Sequence, residues 1–496
     1  MCNINSVSIG KLNKKRFLLV CFVIQITFFV STINSCKITR EGLISAGREE
    51  KREAKCDGKD NNKNDLIDEG CLLWYYEIPS IDDISPPKIC SNKTIVLGGA
   101  QVLDWLPIFP KIYGLRLDDG RIIWESNIPD IRRIISGSLL LEVYDLDGDQ
   151  KEEIIISYTL KALHILDCEG KFLLIYRGKQ DNKIEINKKI ESFFGPASVD
   201  DIDQDGKGDI VVNETIINTE EIESSKSELY ILNWNKNVNE NYSISLTDFF
   251  IYPYYFRPLV RDIDGDGKKE IILFGRFKRK VTDETFSYKP LKGETLKNLK
   301  DKFFVIDNGI IGIDITDIID ISTSTPPPTL GDINSDGKEE IIIPSGTNLY
   351  AIDEKGNLLW NFNIGYHIAS QPVISDIDSD GKPEILFISL DGKIKVLNGE
   401  GKLISEYEVW KRDEIVKVGA SSLALVDIDF DGKKEIIGWT DEVFMIRNGV
   451  KVWNFIVGGP KGDFEPPLVV NDDRDFKIVV TFANRIYTLK AGKVKK

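Results

Sequence analysis

The chain has 496 residues, room for about three average domains, and 42% of them are hydrophobic, ample for a packed core. Its formal net charge of −15 argues against nucleic acid as a partner. Two histidines in the whole chain leave little material for imidazole chemistry.

Lys11, Lys14, Lys15 and Arg16 precede an apolar stretch from Phe17 to Val30, broken only by Gln25 and Thr27, and then Ile33-Asn34-Ser35-Cys36. Residues 1–35 therefore read as a signal peptide rather than as fold. Ile33 and Ser35 before Cys36 resemble a bacterial lipoprotein signal, which implies that Cys36 is lipidated and becomes the first residue. Asn34 departs from the usual small or apolar choice, so plain secretion and an uncleaved single-span anchor are the alternatives. Lys37, where an aspartate would resemble an inner-membrane retention signal, favours the outer membrane or cell surface. Residues 36–55 then form a charged, flexible tether.

Residues 56–71 run Cys56-Asp-Gly-Lys-Asp60-Asn-Asn62-Lys63-Asn64-Asp-Leu-Ile-Asp68-Glu-Gly-Cys71. Asp60, Asn62, Asn64 and Asp68 stand at positions 1, 3, 5 and 9 of a cation-loop pattern. The segment resembles a metal-binding motif of exported bacterial proteins, CDGxDNDCDGxxDE. It departs from that motif at Lys63, where the family has its central cysteine, which leaves Cys56 and Cys71 as the natural disulfide pair in an exported chain. The alternative is a disulfide-pinned loop that holds no metal.

From residue 72 to 496 the chain reads as short strands in repeating units. Leu72-Leu-Trp74-Tyr-Tyr-Glu77 resembles Leu358-Leu-Trp360-Asn-Phe; Pro86 to Cys90 and Thr94 to Gly98 follow as a first pair of strands. Six acidic loops then recur. They begin Asp145-Leu-Asp147-Gly-Asp149, Asp201-Ile-Asp203-Gln-Asp205, Asp262-Ile-Asp264-Gly-Asp266, Asp332-Ile-Asn334-Ser-Asp336, Asp376-Ile-Asp378-Ser-Asp380 and Asp427-Ile-Asp429-Phe-Asp431. Position 9 is acidic each time: Glu153, Asp209, Glu270, Glu340, Glu384 and Glu435. Oxygen ligands at positions 1, 3, 5 and 9, with a backbone carbonyl at 7, make a hard-cation loop of the Ca²⁺ type. Glycine follows position 5 in five copies, where the chain must turn sharply; Gln150 takes its place in the first.

Each loop joins two apolar runs, and a turn-rich hairpin leads to a further pair, as in Gln371 to Ser375, Glu384 to Ile388, Ile394 to Leu397 and the strand after Gly401. Asp332 to Asp376 is 44 residues and Asp376 to Asp427 is 51, and four strands per 40–50 residues is the signature of a β-propeller blade. Two units lack the loop: Ser91-Asn-Lys93 replaces it in the first, and Asn471-Asp-Asp473 in the last is a decayed copy without an acid at position 9. The expected fold is all-β, a β-propeller of eight four-stranded blades, with seven as the alternative. Leu72 to Glu77 supplies the missing outer strand of the last blade, so that no edge is left exposed.

The loops resemble FG-GAP or VCBS repeats, the blades of integrin-α-type propellers and of many exported bacterial proteins, over roughly residues 130–440. The Gly-x-x-x-Trp hairpins at Trp124, Trp360 and Trp453 also resemble the tryptophan-docking blades of quinoprotein-like propellers. The first resemblance implies structural Ca²⁺ on one face of the disc and ligands on the other.

No local signature assembles a hydrolytic triad, and His164 in Leu163-His-Ile-Leu166 reads as a packed residue. Six acidic loops also suit a carboxylate-pair glycosidase, but coordinated carboxylates are poor acids and bases. The reading is an exported, membrane-anchored Ca²⁺-binding propeller that acts as a protein- or glycan-binding module in adhesion. The alternative is a Ca²⁺-dependent polysaccharide lyase or hydrolase. Candidate ligand contacts are Tyr252, Tyr254, Tyr255, Arg257, His367 and Trp410, with Phe193 and Phe194 nearby, because aromatics beside a cation are common at contact surfaces. Two insertions, Asn213 to Glu228 and Arg276 to Lys302, are expected to rise from the same face. Cys90 and Cys168 lie in adjacent units and could pair.

Overall fold

A computed structural model describes residues 56, 66–67, 70–78, 81, 83–100, 110–129, 139–157, 162–177, 190–218, 226–234, 238–245, 257–277, 300–307, 310–311, 326–410, 421–457, 465–473 and 475–494. All fall within the compact unit Lys51–Lys496. The signal peptide, Cys36, the tether and Asp60, Asn62, Asn64 and Asp68 lie outside the described residues, as do Tyr252, Tyr254, Tyr255 and most of the second insertion.

Among the described residues every regular element is a strand, and the strands form eight antiparallel sheets. The sixth shows the common pattern: Val373–Ser375, Glu384–Ser389, Lys393–Leu397 and Leu403–Glu408 pair in sequence order. The second to fifth and the seventh sheets repeat it over 140–176, 190–245, 259–311, 329–363 and 424–456, and the first occupies 83–127. The eighth takes Leu468–Asp472, Asp475–Phe482 and Arg485–Val494 from the C-terminal end, and the N-terminal strand Leu72–Glu77 pairs antiparallel with the last of these. The expected outer strand is therefore where it was placed.

The second strand of each unit is an unbroken apolar run because both of its faces are covered. In the sixth sheet Ile385 and Phe387 pack toward the fifth, while Leu386 and Ile388 pack toward the seventh. In the second, Ile154 and Ile156 pack toward the first and Ile155 toward the third. A period-2 side-chain alternation thus feeds two cores from one strand. Eight clusters fill the gaps between consecutive sheets, and one of them joins the eighth to the first through Val479 and Ile486 against Ile95, Leu97 and Leu115.

Tryptophans on three outer strands tie their sheets to the next. Trp124 donates its indole N–H to the Cys168 carbonyl at 2.9 Å, and Trp74 and Trp360 make the equivalent bonds to Leu117 and Gly399 at 2.9 Å. The Trp124 ring lies against Gly170, whose φ of +83° and lack of Cβ are both required: a Cβ there would collide with the ring. The Cys90–Cys168 disulfide adds a covalent tie between the first and second sheets, and Cys56–Cys71 closes the N-terminal module.

Three expectations need correction. Asn213 to Glu228 is mostly not an insertion: Asp209–Asn218 and Lys226–Trp234 are long paired strands, with only 219–225 outside the described residues. Phe194 is fully buried between the second and third sheets. Trp410 is also buried, 8% exposed, seated beside Gly392 in the core between the sixth and seventh sheets. It is a packing residue, because a glycine opposite gives the indole a cavity that outweighs its polar neighbours in sequence.

Candidate metal centres and axial cluster

The six loops adopt one geometry. Position 1 receives the backbone N–H of position 6 in all six and of position 5 in all but the third, as Asp201 does from Asp205 at 3.0 Å and Gly206 at 2.9 Å. The position 9 acid reaches back to the amide of position 2 at 2.7–3.0 Å in all six, for example Glu270 to Ile263 and Glu435 to Ile428. The backbone is left-handed at positions 4 and 6. Gln150 takes that conformation too, at φ 70°, so the first loop closes like the others without its glycine.

This folding gathers positions 1, 3 and 9. In five loops one carboxylate oxygen from each lies within 4.8 Å of the other two: Asp145, Asp147 and Glu153; Asp201, Asp203 and Asp209; Asp262, Asp264 and Glu270; Asp376, Asp378 and Glu384; Asp427, Asp429 and Glu435. Such all-oxygen, all-anionic sets suit a hard divalent cation. The position 5 acids Asp149, Asp205, Asp266, Asp336, Asp380 and Asp431 stand outside these sets, each accepting the position 7 amide at 2.8–2.9 Å. In the fifth sheet Asn334 donates its amide to Glu340 at 3.0 Å and to Asp336 at 3.1 Å, so Asp332, Asn334 and Glu340 form a less anionic set.

The buried position 9 acids show the electrostatic cost of the arrangement. Burial, then repulsion from the loop aspartates, pushes Glu153, Glu340 and Glu435 up to about 7 and Asp209 up to about 6, against the pull of the backbone amide that each accepts. Glu384 is raised for the same reasons. A bound cation would reverse that repulsion.

The decayed copy has no such loop. Asn471 and Asp472 are in strand, Asp472 pairs with Asp475 across a tight turn, and Lys93 and Lys477 both bind the Asp472 carboxylate, Lys477 at 2.7 Å.

The second feature was not visible in the sequence. Lys88, Glu142, Arg257 and Glu465 belong to or immediately precede the innermost strands of the first, second, fourth and eighth sheets, and they meet in one cluster. Lys88 is 3.2 Å from Glu465 and 3.7 Å from Glu142; Arg257 pairs with Glu142 and lies 3.2 Å from Glu465. Their side chains keep only 21–28% exposure. Desolvation, with Arg257 nearby, lowers the Lys88 ammonium; burial alone would raise Glu465, but the Lys88 and Arg257 cations hold it below the usual carboxylate range. Arg257 is thus engaged in the interior rather than offered to solvent. His367 is exposed in the loop after Leu358–Asn363, and His164 is fully buried with its ring 3.0 Å from the Pro129 carbonyl. A hydrogen-bonded trio, buried Tyr230 with buried Glu214 and half-buried Glu228 at 2.9 Å each, was likewise missed.

Sheets stacked face to face through shared cores, each beginning at an inner strand and ending at an outer one, define a β-propeller. Solved structures agree at the level of fold. The Dos1 propeller matches at a TM-score of 0.51 with 11% identity, covering 85% of this chain and 96% of that one. The exotype rhamnogalacturonan lyase YesX matches at 0.50 with 16% identity (84% and 74% covered), and the rhamnogalacturonan lyase YesW at 0.50 with 15% identity (86% and 75%). No family model matches the chain, and no curated protein matches it in sequence.

Proposed function

We propose that the chain is an exported, membrane-anchored, Ca²⁺-stabilised propeller of eight blades, closed by its N-terminal strand, that binds an extracellular protein or glycan. The observation that carries this reading is the recurrence of one three-carboxylate geometry in five loops, each in the same place between the first and second strands of its sheet. Such loops hold a rigid disc, and the opposite face is left to recognition. Tyr252, Tyr254 and Tyr255, just ahead of the fourth sheet, together with His367, are the proposed contacts there. Lipidation of Cys36 would place the disc at the outer membrane or cell surface.

A second reading is favoured by the axial cluster. A Lys, an Arg and two Glu, mostly buried and drawn from four sheets, are groups that a lyase acting on acidic polysaccharide can use, and two of the similar folds are rhamnogalacturonan lyases. One experiment separates the readings. Purified protein with Ca²⁺ is applied to protein and glycan arrays, and the glycans captured are then incubated with it while the ultraviolet absorbance of unsaturated products is followed. Capture without new absorbance supports the binding module, new absorbance supports the lyase, and neither capture nor absorbance defeats both.

A further inference from the structure

The loop of the seventh sheet differs from the other five in what faces it. In every metal-capable sheet the residue that pairs across the ladder with the position 9 acid sits at the end of the third strand. It is Asp167 opposite Glu153 and Asn233 opposite Asp209, and the same register continues to Asp307, Asp353 and Asn398. In the seventh sheet it is Arg447, one step beyond the Ile436–Ile446 pair.

Local structure explains the exchange. Asp167, Asp353 and Asn398 cap their own hairpins: Asp167 accepts the Lys171 amide at 2.8 Å, Asp353 that of Asn357 at 2.7 Å, and Asn398 that of Lys402 at 2.9 Å. The seventh hairpin is tighter. Arg447 pairs directly with Val450 across Asn448 and Gly449, both left-handed at φ 49° and 75°, the geometry of a two-residue turn that needs no side-chain cap. The position is therefore released, and an arginine, which has no acceptor, turns back onto the loop. Its guanidinium pairs with Asp429 at position 3 and lies 3.6 Å from Glu435 at position 9. Asp429 is left 8% exposed and Glu435 2%. Two of the three carboxylates that would hold a cation already face one.

The eighth sheet meets the same need in the same way, with Lys93 and Lys477 on Asp472 in place of a loop that has lost its position 9 acid. From the seventh sheet to the eighth, charge compensation thus passes from a carboxylate set with a built-in cation to lysines on one aspartate.

Resting on the Ca²⁺ reading above, we infer that Arg447 is an internal counter-ion of the Asp427–Glu435 loop. This loop takes up a divalent cation only by expelling the guanidinium, and it binds more weakly than the other three-carboxylate loops, on the order of ten- to a hundredfold, the worth of a charge-assisted hydrogen bond or two.

The test is Ca²⁺ titration by calorimetry, with Tb³⁺ luminescence in parallel, on the purified chain and on R447Q, D429N and D378N. R447Q is expected to add one equivalent to the tight class, and to melt lower than wild type in chelator but not in millimolar Ca²⁺. D378N is expected to remove one tight equivalent and D429N none. The inference is overturned if R447Q leaves the isotherm unchanged and lowers melting equally in both buffers, which marks a structural ion pair only. It is also overturned if D429N removes a tight equivalent as D378N does, a comparison that holds even if R447Q fails to fold. Absence of any binding by wild type would sink the Ca²⁺ reading itself, a different outcome.

Discussion

Withdrawal of divalent cation is the perturbation with the largest expected effect. Five loops each gather three carboxylates with oxygens within 4.8 Å, and in the seventh sheet Arg447 already pairs with the set. At cation concentrations of about one hundred times Kd, each occupied site adds about 2.7 kcal/mol to the folded state, so four tight sites together contribute about 11 kcal/mol. That is comparable to the whole net stability of an ordinary domain, about 5–15 kcal/mol. Transfer from 1 mM Ca²⁺ into excess chelator is therefore expected to lower Tm by tens of degrees or to unfold the propeller, read by differential scanning calorimetry and near-ultraviolet circular dichroism. Asp378→Asn should remove about a quarter of the Ca²⁺-dependent stabilisation, because its set is separate from its neighbours' sets. Equal melting in Ca²⁺ and chelator would refute the argument from carboxylate repulsion.

The position 9 acids set the pH dependence. Glu153, Glu340 and Glu435 at about 7 and Asp209 at about 6 are raised above their unfolded values, so the stability they contribute is present at low pH and lost as pH rises through the folded values. In chelator, Tm should fall between about pH 4 and 7, from the unfolded to the folded values of these acids, and the increment on adding Ca²⁺ should grow over the same range; a Tm that climbs with pH in chelator would contradict this. Cys90–Cys168 closes 78 residues, a loop whose closure entropy is worth about 4–5 kcal/mol, and C90S/C168S should shift the urea midpoint accordingly; an unchanged midpoint would show that neighbouring contacts already impose the constraint. Arg257→Gln leaves Glu142 and Glu465 with Lys88 alone and should cost about 2–4 kcal/mol, with E142Q in the same chain recovering part of it; no loss would mean that solvent screens the axial cluster.

What the sequence reveals about this molecule is what chemistry must repeat. A cation loop needs acids at fixed intervals, and a strand covered on both sides needs an unbroken apolar run, so loops and inner strands could be read residue by residue. The outer strand at Leu72–Glu77 was legible because it shares its Leu-Leu-Trp start with Leu358–Asn363. Side-chain environments that depend on a partner far away were not. Trp410 looks exposed beside Lys411 and Arg412, and only Gly392 on a facing hairpin explains its burial. Position 5 looks like a ligand by spacing, but the amide of position 7 claims one of its oxygens first.

The axial cluster shows the limit most clearly. Lys88 and Glu465 are 377 positions apart, and Arg257 and Glu465 are 208 apart, so no local pattern could announce them. Taken singly, each is a charged residue beside a proline or an apolar run, the kind that usually ends in solvent. They meet because inner strands converge on one axis, and charge partners are then chosen among different sheets rather than along one. That convergence buries opposite charges where their attraction is less screened than at the rim. The same property makes the axis the place where a charged ligand would be recognised most strongly. A ligand carboxylate entering there must compete with Glu142 and Glu465 for Arg257 and Lys88. An anionic glycan bound at the axis should therefore bind more tightly to E142Q or E465Q than to wild type, whereas one bound at the aromatic loops should not respond.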